Sequence, residues 1–205
     1  MQDQSVLSGA VTPQHSPASS LLLSTVLTHS EDSFYFTNPK KHGEKVNVTI
    51  YSDGSSRGNP GPGGYGTVLL YVDKNGVTHR RELSAGYSHT TNNRMEIMGV
   101  IAGLEALNRP CTVEIHSDSQ YVVNAINKHW LSSWQQNGWK TANKKPVKNP
   151  DLWQRLIKAL EPHNTTFIWV KGHAGNNENE RCDELACAAA DGKTGELLED
   201  TGFIE

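Results

Sequence analysis

The chain has 205 residues, of which 36% are hydrophobic and 20% charged, so it holds enough apolar material for a folded core and is not a fully disordered polymer. This length allows one domain with a tail, or at most two small domains. The 19 Lys and Arg against 22 Asp and Glu leave a formal net charge of −3. That balance excludes a histone-like polycation, and any nucleic-acid binding must come from a local basic patch.

The cysteines and the hydropathy pattern narrow the class further. The three cysteines, Cys111, Cys182 and Cys187, form no CxxC pair. Their odd number and spacing argue against a disulfide framework and against a zinc site, and favour a reducing compartment, so a cytoplasmic protein is predicted. No run approaches the ~20 apolar residues of a membrane helix, so no membrane association is expected.

Residues 1–45 differ in composition from the rest of the chain. They are rich in Ser, Thr, Gln, Pro and His, and no Lys or Arg precedes Lys40. The apolar run 21–27 lacks the basic stretch that precedes the core of a secretory signal, and a mitochondrial transit peptide would be rich in Arg. The prediction is a disordered N-terminal extension or, alternatively, a segment that folds on a partner through residues 21–27 or 34–36.

A regular pattern starts at Val46, where apolar and polar residues alternate as in a half-buried strand. A Gly/Pro-rich turn is predicted over 54–64, and the Asn75-Gly76 pair favours a hairpin between the next two strands. Helical periods follow, with Ser119 and Asn149 expected as caps. The predicted strands are 46–53, 67–72, 77–87, 111–116 and 165–170, and the predicted helices are 92–107, 119–126, 130–139, 150–160 and 178–190.

Three consecutive strands, followed by strands that alternate with helices, predict an α/β fold with a mixed sheet and helices on its faces. Two carboxylates fall at the ends of predicted strands, Asp53 after the first and Asp118 after the fourth. Groups at the carboxyl ends of adjacent strands converge on one crevice of an open sheet. Glu96 lies near the start of a helix, and Asp183 lies on or beside the small apolar face of the last helix.

Each of these carboxylates has an ordinary structural explanation as a turn residue or as a partner of a helix dipole. Together they predict a cation site, because several carboxylates in one place repel one another unless a cation neutralises them. An all-oxygen ligand set selects Mg²⁺ or Mn²⁺, and two such ions would clamp the attacking and leaving oxygens of a phosphodiester. His173, in a Gly-framed loop, is either a surface residue or a proton carrier at this site.

Several motifs occur in a fixed order between Val46 and about Ala190, and over this stretch the chain resembles type 1 ribonuclease H, most closely its bacterial form. The resemblance implies a ribonuclease H-like fold with a five-stranded mixed sheet, three antiparallel strands then parallel strands, flanked by helices. It also implies endonucleolytic cleavage of the RNA strand of RNA/DNA hybrids, leaving 5′-phosphate and 3′-hydroxyl ends. The motifs are Asp53-Gly54-Ser55 with 58–66, then 90–96, 117–122, 138–141, 144–149, 169–175 and 179–186.

The resemblance also assigns roles to residues. In the family four carboxylates hold two Mg²⁺ ions, with Mn²⁺ as a possible substitute, a flexible-loop histidine assists proton transfer or product release, and an acidic residue adjoins the second metal site. The matching positions are Asp53, Glu96, Asp118 and Asp183, then His173, then Glu180. The implied substrate contacts are the minor-groove amides Asn59, Asn92 and Gln120, the DNA-phosphate residues Thr91 and Asn149, and the basic protrusion with Trp130, Trp139, Lys140, Lys144 and Lys145.

Some positions depart from the family or allow a second interpretation. His89 stands where many members have an arginine, which predicts a weaker or pH-dependent grip on a DNA phosphate. The stretch 132–137 is less basic than in many members, which predicts weaker and less salt-sensitive binding. Asn59 and Asn92 could instead be a turn residue and a helix cap, and Trp134 is expected in the core.

The chain is thus expected to comprise an N-terminal extension (1–45), a ribonuclease H catalytic domain (46–192) and an acidic, solvated C-terminal tail (193–205). We expect a monomer that binds an RNA/DNA hybrid without an obligate protein partner. Two other functions stay open. A hybrid-binding protein without catalysis would have an incomplete carboxylate set, and a junction resolvase or integrase of the same fold would lack the 91–93 and 144–149 motifs.

Overall fold

The computed structural model describes residues 46–204, so the predicted N-terminal extension lies outside the described residues. Within this part of the chain, five strands and five helices follow one another in the predicted order. The strands are β1 (Val46–Ser56), β2 (Gly61–Val72), β3 (Thr78–Thr90), β4 (Cys111–Ser117) and β5 (Asn164–Trp169), and the helices are α1 (Asn92–Glu105), α2 (Gln120–Asn127), α3 (Trp130–Gln136), α4 (Pro150–Leu160) and α5 (Asn177–Ala190).

The strands form one sheet in the order β3-β2-β1-β4-β5. β1 pairs antiparallel with β2, and β2 with β3, whereas β1, β4 and β5 run parallel. This arrangement confirms the predicted mixed sheet. In the register of β1 and β4, Ser52 faces Ser117, so the residues that follow them, Asp53 and Asp118, emerge side by side at the same edge.

Different helices cover the two faces of the sheet. α1 packs on the face that carries the main core, where a Cβ added to Gly99 would lie 2.9 Å from the Ser52 hydroxyl. α5 packs on the opposite face of β1, β2 and β3, where a Cβ added to Gly66 would overlap the carbonyl oxygen of Cys182. The fully buried side chains of the core include Ile50, Leu69, Ile101, Ile115 and Trp153.

The predicted turn over 54–64 is wrong in its extent. β1 continues to Ser56 and β2 begins at Gly61, so the reversal occupies only the few residues between them. The sequence predicts turn residues at the glycines of this stretch, but some of these glycines instead allow another element to pack closely. A Cβ on Gly64 would lie 2.6 Å from the backbone nitrogen of Ala190, so α5 can approach β2 only because no side chain is present.

Two other local predictions differ from the structure. α3 ends at Gln136, three residues short of the predicted end. Asn149 occupies the position before α4, but its φ is 57° and its side chain makes no capping hydrogen bond; its Oδ1 instead accepts one from Arg94 at 3.5 Å. The cap predicted at Ser119 is confirmed, because its hydroxyl accepts a hydrogen bond from the Val122 N–H at 3.3 Å.

The prediction of a solvated C-terminal tail is wrong. The Leu198 N–H donates to the Gly86 carbonyl at 2.8 Å, so the segment runs beside β3. The Asp200 side chain is 3% exposed and accepts a hydrogen bond from Arg94 Nε at 2.6 Å. An acidic composition favours solvation only where no buried cation is within reach, and α1 supplies that cation here.

The cysteines and the lengths of the helices complete the description of the fold. All three cysteines are free, with Cys111 and Cys182 buried. Among the helices described in residues 46–204, none has the length and apolar character needed to cross a membrane.

Candidate active site

Asp53 and Asp118 mark the centre of the site, directly after the point where the parallel pairing of β1 and β4 ends. The prediction that Asp53 ends the first strand is wrong, because β1 continues to Ser56 through its antiparallel pairing with β2. The Asp53 side chain is largely buried, with the residue 8% exposed, and its Oδ1 accepts a hydrogen bond from the Gly54 N–H at 2.7 Å. Asp118 is half-buried. The Trp169 indole N–H donates to the Asp118 carbonyl oxygen at 3.0 Å, so the end of β5 holds the backbone that carries this carboxylate.

Glu96 reaches the same edge from the first turns of α1. Its Oε1 accepts a hydrogen bond from Asn92 Nδ2 at 3.0 Å, and its Oε2 accepts one from the Ser119 hydroxyl at 2.5 Å. Ser119 directly follows Asp118 and also caps α2. One hydroxyl therefore links the Glu96 carboxylate to the end of β4.

Asp183 lies on α5, which crosses the opposite face of the sheet. Its Oδ1 accepts a weak hydrogen bond from the Cys187 thiol, with a sulfur–oxygen distance of 3.4 Å. One turn earlier, the buried Asn179 donates from Nδ2 to Asp118 Oδ2 at 3.4 Å. The helix thus contributes its own carboxylate and also contacts the carboxylate of β4.

Burial and the negative charge of neighbouring carboxylates raise the pKa of two of the four acidic side chains, Asp53 and Glu96. Burial, followed by the negative charges of Asp118, Asp183 and Glu96, raises the pKa of Asp53 to about 7, although the hydrogen bond from the Gly54 N–H opposes the shift. Burial also raises the pKa of Glu96, with a further contribution from Asp118, although hydrogen bonds from Ser119 and Asn92 oppose the shift. Within residues 46–204, no basic side chain is among the causes of either shift, so this part of the chain supplies the acidic cluster with no compensating cation.

The donor set matches the preference of a hard divalent cation, because all four groups are carboxylates. Among residues 46–204, no three acidic, His or Cys side chains are arranged closely enough to hold a metal ion as they stand. Mg²⁺ retains several waters and is commonly bound by one or two carboxylates together with substrate phosphates, so a closed protein cage is not required. The donor chemistry therefore fits such an ion.

The loop that carries His173 lies beside Asp118. A Cβ added to the preceding Gly172 would lie 2.6 Å from Asp118 Oδ2. His173 itself is exposed, with a φ of 51°, and within the described chain no hydrogen bond joins it to a carboxylate. The exposed Glu180 accepts a hydrogen bond from the Gly175 N–H at 3.1 Å, so this carboxylate holds the end of the loop.

Two of the three amides assigned to the minor groove lie next to Glu96. Asn92 donates to that carboxylate, and Asn59 Oδ1 accepts a hydrogen bond from the Asn92 backbone N–H at 3.3 Å. Gln120 is the exposed first residue of α2 and lines a shallow cleft that also includes Lys128 and Trp169. Thr91 occupies the position before α1 without a capping hydrogen bond from its side chain.

The basic protrusion is a separate region built on α3 and the loop that follows it. Trp130 is 37% exposed, and Lys128 Nζ lies 5.7 Å from the centre of its ring. Trp134 packs toward the core, 5.6 Å from the buried Trp153, as predicted. Trp139 is half-buried, and within residues 46–204 no carboxylate forms an ion pair with the three lysines assigned to substrate binding, Lys140, Lys144 and Lys145.

Sequence reasoning missed several supporting residues. Ser119 was assigned only as a helix cap, and no role was assigned to Asn179 or Trp169, although both lie inside quoted motifs. Their contacts reach from α5 and β5 to the end of β4, so no local pattern indicates them. The signal available was their position one or a few residues from a predicted carboxylate.

Comparison with known proteins agrees with this geometry. Residues 45–191 match the family model described as RNase H. The chain is 60% identical over 156 residues to a ribonuclease H of Lachnoclostridium phytofermentans, covering 76% of this chain and 98% of the relative. It is 59% identical over 143 residues to a ribonuclease H of Desulforamulus reducens, covering 70% of this chain and 87% of that relative.

A solved structure of similar fold is that of LC9-RNase H1, described as a type 1 RNase H with the type 2 active-site motif. It is 32% identical, with a TM-score of 0.68, and the match covers 79% of this chain and 81% of that one. The chain therefore belongs to the RNase H family, among its type 1 ribonucleases H. Members of this family are enzymes that cleave RNA in RNA/DNA hybrids and generally depend on divalent metal ions.

Proposed function

We propose that this protein is an endoribonuclease that hydrolyses the RNA strand of RNA/DNA hybrids and leaves 5′-phosphate and 3′-hydroxyl ends. In this proposal two Mg²⁺ ions, or Mn²⁺ as a substitute, are held together with substrate by the carboxylates of Asp53, Glu96, Asp118 and Asp183. The observation that supports it most is that burial and the negative charge of neighbouring carboxylates raise the pKa of Asp53 and of Glu96, and that no basic side chain of residues 46–204 is among the causes of either shift. When bound, such ions supply positive charge that activates a water and stabilises the departing 3′ oxygen.

The hydrolysis itself requires one proton to be delivered. The water oxygen bonds to phosphorus, the bond from phosphorus to the 3′ oxygen breaks, and the 3′ oxygen takes up a proton. His173 is suited to move that proton or to help the product leave, because its exposed loop adjoins Asp118 and an imidazole ring can both donate and accept a proton.

Selection of the RNA strand depends on its 2′-hydroxyls, which line the wide minor groove of the hybrid. Asn59, Asn92 and Gln120 are proposed to contact that groove, since an amide can both donate to and accept from a hydroxyl. The hydrogen bond from Asn92 to Glu96 supports this proposal, because it ties a groove contact directly to a catalytic carboxylate.

The DNA strand is proposed to be held at two places. Thr91 and Asn149, with His89 in place of the family arginine, form a pocket for one DNA phosphate. The lysines of the protrusion, which form no ion pair within residues 46–204, and its tryptophan rings are proposed to contact the DNA backbone further along. The residues proposed for this second contact are Trp130, Trp139, Lys140, Lys144 and Lys145.

We further propose a cytoplasmic protein that acts as a monomer. Three free cysteines, two of them buried, support a reducing environment. Light scattering of the purified full chain, with and without hybrid, tests the monomeric state. A protein mass of twice 22.6 kDa or more would contradict it.

The central experiment compares four substrates under Mg²⁺: an RNA/DNA hybrid, duplex DNA, duplex RNA and a branched DNA. We expect that only the RNA strand of the hybrid is cleaved. A ligase that requires 5′-phosphate and 3′-hydroxyl ends should rejoin the products, which identifies those ends. Asp118→Asn should bind the hybrid without cleaving it. Hybrid binding by the unmodified protein without cleavage under Mg²⁺ or Mn²⁺, or cleavage of branched DNA instead, would overturn the proposal.

A further inference from the structure

The C-terminal segment, residues 197–203, is attached to the body of the protein at two points. Beside β3, the Ser88 N–H donates to the Leu198 carbonyl and the Leu198 N–H donates to the Gly86 carbonyl, both at 2.8 Å. Further on, the Asp200 carboxylate accepts hydrogen bonds from Arg94 Nε at 2.6 Å and Nη2 at 2.8 Å, and from the Thr90 hydroxyl at 2.6 Å. The segment therefore has a defined path.

Arg94 connects this segment to Asn149. The Arg94 side chain is 2% exposed, and the same guanidinium that binds Asp200 also donates to Asn149 Oδ1 at 3.5 Å and to Asp151 at 2.7 and 3.0 Å. A guanidinium is planar and presents its donors in a rigid fork. The position of Asp200 on one side thus restricts the position of Asn149 on the other.

Phe203 connects the segment to His89. A hydrogen bond of 3.0 Å from the Phe203 N–H to the Asp200 carbonyl closes a tight turn and brings the ring over Arg94, with 6.0 Å between the guanidinium carbon and the ring centre. The same ring meets the His89 imidazole edge-on, with centroids 5.3 Å apart and an interplanar angle of 62°. This geometry is the favoured one for a pair of aromatic rings.

We infer that Phe203 is a positioning residue for the DNA-phosphate pocket. The Phe203 ring packs edge-on against the His89 imidazole. Because Arg94 binds both Asp200 and Asn149, it also fixes the position of the C-terminal segment relative to Asn149. The inference rests on the proposed function, in which His89, Thr91 and Asn149 bind a DNA phosphate. Because the pocket would hold the DNA strand and not the RNA strand that is cleaved, the segment affects how tightly the DNA strand is held and not the chemical step.

The test compares the full chain with four single variants and one double variant under Mg²⁺. Phe203→Ala should raise KM for the hybrid by about 3- to 10-fold and leave kcat within about 2-fold, because the imidazole must be ordered when the phosphate binds. Phe203→Tyr retains the ring and should restore the original KM. Ile204→Ala is the matched control, because the neighbouring Ile204 is 88% exposed, and it should change neither parameter. His89→Ala should abolish any further effect of Phe203→Ala.

A second readout separates positioning from a general loss of structure. Hybrids that carry one uncharged methylphosphonate at successive DNA positions locate the phosphate that the pocket binds. On the hybrid neutralised at that position, Phe203→Ala should bind no more weakly than the unmodified protein, whereas at other positions its full penalty should remain. An equal penalty on every hybrid, or a fall in kcat that matches the rise in KM, would overturn the inference.

These outcomes also distinguish the inference from the function on which it rests. If the unmodified protein cleaves no hybrid, the proposed function fails and the inference fails with it. If it cleaves hybrid but tolerates a methylphosphonate at every DNA position, the phosphate pocket does not exist and the inference is wrong while the nuclease proposal stands.

Discussion

Two clusters of buried charge lie on either side of α1, and they treat their carboxylates in opposite ways. At the active site, burial and the neighbouring Asp118 raise the pKa of Asp53 to about 7. At the C-terminal segment, burial also disfavours the Asp200 carboxylate, but hydrogen bonds from Arg94 and Thr90 outweigh it and lower the pKa of Asp200. The charged form of a buried aspartate is thus disfavoured at the active site and favoured at the C-terminal segment.

The difference lies in the presence of a cation supplied by the protein. Arg94 is buried among two carboxylates and satisfies both through its fork of donors. Among the described residues, the hydrogen-bond partners of the active-site carboxylates are neutral, such as Ser119 and Asn92. One cluster is thus electrostatically complete and serves the fold, whereas in the proposed function the other binds an external cation and serves the reaction.

The largest expected effect falls on activity at the uncompensated cluster. Asp53→Asn should reduce hybrid cleavage by at least ~10³-fold, because it removes a proposed metal ligand. The melting temperature without added metal should stay level or rise, because the substitution removes repulsion. Cleavage assays and calorimetry measure both. As control, Glu184→Gln alters a carboxylate that is 65% exposed and adjacent to Asp183, and should leave cleavage unchanged. A strong loss of stability in Asp53→Asn would contradict the contrast.

The next effect falls on stability at the compensated cluster. Arg94→Met should lower the free energy of unfolding by about 3–5 kcal/mol, because it leaves Asp200 buried without a cation. Urea denaturation provides the measurement. Arg155→Met, which breaks an exposed pair with Glu105, is the control and should cost less than about 1 kcal/mol. Equal losses in the two variants would show that burial of the Arg94 network contributes nothing.

A smaller effect, with a distinct pH dependence, is expected for Asp200→Asn. At neutral pH it should cost about 1–3 kcal/mol, the value of hydrogen bonds to a charged group. Because the pKa of Asp200 is lowered in the folded state, its contribution is present above the ordinary Asp pKa and is lost as pH falls through the folded value. The free energies of unfolding of the variant and of the unmodified protein, measured by urea denaturation, should therefore converge as the pH falls below about 4. A gap that widens in acid would reverse the sign of the argument.

The smallest effect is expected at Asp151, the other partner of Arg94. Its side chain is 37% exposed, so water can replace much of what Asp151→Asn removes. The loss in free energy of unfolding should stay below about 1 kcal/mol, clearly less than for Asp200→Asn under the same conditions. If Asp151→Asn costs as much as Asp200→Asn, exposure is not what separates the two ion pairs.

Much of the fold followed from local pattern. Alternating residues after Val46, the Asn75-Gly76 pair and the helical periods predicted the strands and helices in order, because burial on one face leaves a period in the sequence. The glycines between 54 and 66 misled the prediction, because the same residue serves both a turn and a close contact between a strand and a helix. Only the approach of α5 to β2 separates these two uses.

The active site and the C-terminal segment also differ in how far the sequence predicts them. The four carboxylates were recognisable because each lies at a strand end or on a helix whose position the pattern already indicated. Asp200 carried no such signal, since its partner Arg94 is 106 residues away and an acidic tail has the composition of a solvated one.

By itself, the sequence therefore determined the order of elements, the family and the acidic residues of the candidate site, because periodicity and motifs are recorded along the chain. Only the tertiary structure decided which of the buried carboxylates has a cation beside it and which does not. The physical reason is that charge compensation depends on distance in space, which the spacing of residues in the chain does not report.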